Sequence, residues 1–100
     1  MARFDLYKMP GNRPGYVVDV QAPLLDHLTT RTVLPLEPIG PTTIPIRDLN
    51  PIIAIHDVPY ILLTQAIVAV PLRVLKRPIG SLTDHQDTII RALDLLLTGF

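Results

Sequence analysis

Three times in this chain a carboxylate and an imidazole are sequence neighbours, as Asp26-His27, His56-Asp57 and Asp84-His85. Those residue types can supply a general base with its orienting acid, or ligands for a metal. Adjacent side chains seldom face one another, however, and catalytic partners are matched in space rather than in sequence. The three pairs therefore read as surface or turn-capping residues. The only serine, Ser81, directly precedes the last apolar stretch, where a capping role accounts for it. Glu37 is the only glutamate, and there is neither a glycine-rich phosphate loop nor a His-Glu-x-x-His pair. With no cysteine the chain has no thiolate nucleophile, no Cys-type zinc site and no disulfide. No catalytic residue, cofactor site or metal site is expected, and the chain is not expected to be an enzyme.

Charge narrows the partners further. Nine basic residues balance nine acidic ones, so the chain has no electrostatic footprint for holding nucleic acid by itself or for lying on an anionic membrane. The start, Met-Ala-Arg-Phe-Asp, lacks the apolar core of a signal peptide. The charge-free stretch from Val58 to Leu72 is broken by Pro59, Thr64, Gln65 and Pro71, too polar to span a bilayer. A cytoplasmic protein of one domain, residues 1–100, is the expectation. At this size only about 60–65% of the unfolded surface is buried on folding, and 48% of the residues are apolar, so much apolar area is left over. A homodimer would cover it.

The elements that must position any site follow from the prolines. There are eleven in a hundred residues, about twice the usual share of roughly 5%, and they interrupt every helical period before Ser81. Between them lie short runs rich in Val, Ile, Leu and Thr, the composition of strands. Residues 4–8 and 16–20 predict a hairpin around the Pro10–Gly15 turn, and 21–30 a loop. A third strand over 31–36 contains Pro35, which places it at an edge or a bulge. The Pro-rich stretch from Glu37 to Asn50 reads as a binding loop, with a short edge strand around 43–46. Residues 51–55 and 60–64 predict a hairpin across His56–Pro59, and 66–75 a further strand with Pro71 as a bulge or edge marker. Thr83 and Gln86 have capping-box spacing, so a helix is expected over about 83–98, closed by Gly99. Ile89, Ile90, Leu93, Leu96 and Leu97 would form its buried face, with Leu95 opposite. The body, residues 1–80, is thus β and the end helical.

Several of these residues, taken in order, resemble the CcdB toxins of ccd toxin-antitoxin modules. They are Val18-Asp19-Val20-Gln21, Arg31-x-Val33-x-Pro35-Leu36, Leu49-x-Pro51, Val70-Pro71, and Leu82-Thr83 followed by Ile89, Ala92, Leu95 and Gly99. The resemblance covers nearly the whole chain, with one apparent single-residue deletion in the middle. It implies a β-rich α+β fold: an SH3-like antiparallel β-barrel with a small additional sheet and one C-terminal α-helix, assembled as a homodimer. It also implies a function in plasmid maintenance without catalysis. Such toxins bind the A subunit of DNA gyrase and trap its cleaved-DNA complex, and a CcdA-like antitoxin with a disordered tail neutralises them. By position, the gyrase-binding residues implied are Leu24, Leu25, Asp94, Leu97, Thr98, Gly99 and Phe100. Thr98 stands where the family has a tryptophan, and this chain has no tryptophan.

Two other functions suit the same body. One is a diverged CcdB-fold dimer that keeps its antitoxin but has lost or changed its topoisomerase target. The other is an endoribonuclease like the MazF toxins, which would require a base and an arginine converging on a phosphate; Arg31 and His56 are the candidates for that pair.

Overall fold

The aliphatic runs pair as one curled, antiparallel seven-stranded sheet in the computed structural model, which describes residues 2–99. In chain order the strands are β1 (Asp5–Lys8), β2 (Tyr16–Asp19), β3 (Thr30–Pro38), β4 (Ile52–Ile55), β5 (Val58–Leu62), β6 (Val68–Pro71) and β7 (Gly80–Ser81), followed by helix α1 (Gln86–Thr98). Their spatial order is β4-β5-β3-β2-β1-β7, with β6 also on β3. This half-barrel with one terminal helix agrees with the SH3-like α+β fold expected.

β3 lies in the centre of the sheet, not at its edge. One side pairs with β2 from Asp19↔Val33 to Tyr16↔Leu36. The other side pairs first with β6, from Thr30↔Pro71 to Val33↔Val68, and then with β5, from Leu36↔Leu62 to Pro38↔Tyr60. Pro35 is tolerated because of that change of partner. Its carbonyl accepts the Leu63 N–H at 2.9 Å, so its ring nitrogen faces the same side, at the gap between β6 and β5, where no ladder donor is required. The β4–β5 hairpin thereby extends the barrel wall as part of the same sheet, and no separate small sheet forms among the described residues.

Other boundaries differ from those expected. No strand forms over 43–46, the 66–75 run is a strand only at Val68–Pro71, and 3-10 turns flank it at Thr64–Ala66 and Leu72–Val74. The β4–β5 connection is only His56-Asp57, both with positive φ (52° and 65°), the geometry of a type I′ turn. Ser81 belongs to β7, beside Asp5 of β1. The Thr83–Gln86 capping box is absent as well. Thr83 opens a 3-10 turn through His85, its hydroxyl lies 2.6 Å from that of Ser81, and no side chain caps α1. Backbone tightening satisfies the first donors instead.

Both faces of β1–β2–β3 are covered. Leu6, Val18 and Leu34 lie in line across the three strands and join Leu36, Ile53, Leu62, Ile89 and Leu93 in the main core. Tyr7, Val17 and Val33 point the other way and pack with Leu75. This two-sided burial explains why the runs are nearly continuous in hydrophobicity rather than alternating.

Gly15 holds the β1–β2 connection. Its φ is +105°, its carbonyl accepts the Met9 N–H at 3.1 Å, and a Cβ there would lie 2.3 Å from the Leu36 carbonyl oxygen on β3. Gly15→Ala is expected to lower stability by about 2–4 kcal/mol, read as an earlier urea midpoint with an unchanged m-value; an unchanged midpoint would contradict this account.

Candidate functional site

Apart from its apolar core the chain buries a polar network that composition does not reveal. Arg31 on β3 is 1% exposed and Asp19 on β2 is fully buried. The Arg31 Nε and Nη2 donate to Asp19 Oδ2 at 3.1 and 2.6 Å, and Nη1 donates to Asp26 Oδ1 at 2.8 Å. Asp19 Oδ1 accepts the Gln21 backbone N–H at 2.9 Å. The Gln21 side chain closes the circuit, accepting from Thr32 N at 2.9 Å and donating to the Leu25 carbonyl at 2.8 Å. Burial by itself lowers the Arg31 pKa, but the hydrogen bonds to Asp26 and Asp19 outweigh it and hold the guanidinium above its ordinary value. The group is a fixed cation, and each of its three nitrogens donates to a carboxylate of the protein.

That network borders a short 3-10 turn, Pro23–Leu25, which carries Leu24 and Leu25 on the surface. The other implied gyrase-binding residues are at the end of α1. Asp94 and Thr98 are exposed, and the Asp94 carbonyl accepts both the Thr98 hydroxyl at 2.6 Å and the Gly99 N–H at 3.1 Å. Gly99, with φ of 80°, ends the helix as expected, and a side chain there would meet nothing within 4 Å. Phe100 lies outside the described residues. The two groups sit on different elements, and among the described residues no hydrogen bond joins them.

Burial along α1 corrects the expected face. Ile89, Ala92 and Leu93 are buried, but Leu95 and Leu96 are only half-buried and Leu97 is 68% exposed. The apolar stripe continues past the part of the sheet available to cover it. The Arg31–His56 pair proposed for ribonuclease chemistry is also overturned. Arg31 is sealed between two carboxylates, whereas His56 is exposed at the tip of the β4–β5 hairpin.

Two further surfaces stand out: the Pro-rich loop, expected as a binding element, and a basic cleft that the sequence did not reveal. The Pro-rich loop is fastened at its end by buried Asn50, which donates to the Leu62 carbonyl at 3.1 Å and accepts from Ile46 N at 3.0 Å. The loop in turn exposes Ile39, Ile44 and Ile46. A cleft of about 620 Å³ beside the Pro10–Gly15 turn is lined by the cations Lys8, Arg13, Lys76 and Arg77. Its apolar lining includes Met9, Val74 and the edge-to-face pair Tyr16–Tyr60, with ring centroids 5.1 Å apart. Among the described residues the only salt bridges are those of Arg31, so these four cations have no acidic partner. No three of the described His, Asp and Glu side chains gather as metal ligands, and no described helix is long and apolar enough to cross a membrane.

The molecule is thus a small curled β-barrel with a terminal helix, with apolar side chains displayed at its turn and helix end. The profile of the CcdB protein family matches residues 3–99. The chain belongs to that family, the toxins of toxin-antitoxin modules. No curated protein sequence matches it.

The two carboxylates around Arg31 differ in weight. Asp19→Ala leaves a buried guanidinium short of its main partner and is expected to lower stability by about 3–5 kcal/mol. Asp26 is 49% exposed, so Asp26→Ala is expected to lower it by no more than about 1 kcal/mol. Equal losses in urea unfolding would contradict the burial argument.

Proposed function

We propose that this chain is a gyrase-directed toxin, a cytoplasmic homodimer that binds the A subunit of DNA gyrase and traps the cleaved-DNA complex. The observation that carries this reading is the exposure of Leu24 and Leu97, 86% and 68%, at positions the family resemblance assigns to gyrase. Large apolar side chains held in solvent favour a partner. Trapping requires only that the protein bind the cleaved state of gyrase more tightly than the resealed one. No side chain of the toxin has to make or break a bond. Leu25, Asp94, Thr98, Gly99 and Phe100 complete the proposed surface.

Dimerisation is supported by the edge strand β6, which pairs only with β3 and exposes Val68, with Leu72 exposed just after it. A second copy would cover this edge. A solution mass twice that of the chain tests this.

Gly99→Glu tests the gyrase surface. The side chain has room, and its positive φ adds only about 1 kcal/mol of strain, so the fold is retained. Growth arrest on induction and accumulation of gyrase-linked DNA breaks are expected for the wild type and lost in the variant. Breaks that persist with Gly99→Glu would exclude the helix end from the site. A second reading is favoured by Thr98, which offers neither the ring nor the area of the family's tryptophan. In that reading the dimer binds its antitoxin but no longer poisons gyrase, and a folded wild-type dimer producing no breaks would establish it.

The cleft of unpaired cations suits an acidic, partly apolar segment of the antitoxin tail, which would become ordered on binding. Replacing Lys76 and Arg77 together with glutamate is expected to weaken antitoxin binding at least about tenfold while leaving gyrase breaks intact. The wild-type affinity should also fall as salt rises. Titration calorimetry against the antitoxin checks both; unchanged affinity would move the tail elsewhere.

A further inference from the structure

Residues 22–29, between β2 and β3, are exposed at every position. Such a segment has no apolar anchor, so packing does not hold Leu24 and Leu25 in place. It is nevertheless shaped by its own turns, Leu25 N to Ala22 O at 2.9 Å, Asp26 N to Pro23 O at 3.1 Å and Leu28 N to Leu25 O at 3.1 Å. Two side chains reach it, one from just after β2 and one from β3. Gln21 grips the Leu25 carbonyl at 2.8 Å, and Arg31 grips the Asp26 carboxylate at 2.8 Å. Both are themselves fixed by buried Asp19. Consecutive residues of the turn are thus held from inside by one polar network.

We propose that Gln21 and Arg31 are positioning residues, which act through the Leu25 carbonyl and the Asp26 carboxylate to hold Leu24 and Leu25 in the conformation that docks on gyrase. The inference rests on the gyrase-binding reading given above. Neither residue touches the partner. Their role is to remove the conformational entropy of an unpacked turn before binding, so that the partner does not have to order it.

Asp26 is the point at which this can be tested without disturbing the core, because it is half-exposed and lies outside the sheet. Asp26→Ala breaks the Arg31 tie to the turn but leaves the Arg31–Asp19 pair. Asp26→Asn keeps an acceptor for Nη1. In Asp26→Ala the amides of Leu25, Asp26 and Leu28 are expected to exchange with solvent at least about tenfold faster, with the β2 and β3 amides unchanged. Affinity for the purified gyrase A subunit should fall about tenfold, with the melting temperature within about 4 °C of wild type. Asp26→Asn should restore most of both. If the wild type binds gyrase but Asp26→Ala leaves either the exchange or the affinity unchanged, the positioning role is overturned and the gyrase reading stands. If the wild type does not bind gyrase, the gyrase reading fails and this inference fails with it.

Discussion

The guanidinium of Arg31 lies inside the protein between a buried carboxylate and a surface one, and the local order of three segments converges on it. A cation of that size is costly to remove from water, and the burial is tolerable only because Asp19 and Asp26 together meet its donors. Asp19 is also the residue of β2 that lies opposite Val33, two positions after Arg31 on β3. A one-residue slip of this pair would strand both charges in an apolar interior. The ion pair therefore helps to specify the register of the two central strands, and through Gln21 and Asp26 it extends that specification into a segment without a core of its own.

Around this point the sheet is organised by the sharing of β3 between two neighbours. A strand that pairs with β6 over its first half and β5 over its second must turn where the partners change, and Pro35 sits at that place with its missing donor turned toward the gap. The curl brings Leu34, Leu36, Ile53 and Leu62 to one interior with Ile89 and Leu93 of α1. Cover for the helix ends before its apolar stripe does. Leu97 and the turn at Leu24 remain in solvent, where a partner could cover them.

Charge is distributed with a similar division. The chain is neutral in sum, but neutrality hides one sealed cation and four unpaired ones beside the Pro10–Gly15 turn. Net charge was silent about a local basic cleft, since a sum carries no positions.

Asp19, Gln21 and Arg31, three of the residues that carried the family resemblance, build the buried network, although nothing in their types along the chain revealed that they meet. By itself the sequence determined the β body, the two hairpins, the terminal helix and its stop at Gly99, because these depend on proline, glycine and apolar spacing over a few residues. Only the tertiary structure decided that Pro35 belongs to a central strand and that Thr83 turns to Ser81 instead of capping α1. It alone decided that Leu97 is uncovered and that Arg31 is closed off from solvent. Each of those outcomes depends on which distant segment lies alongside, and local propensity contains no record of that neighbour.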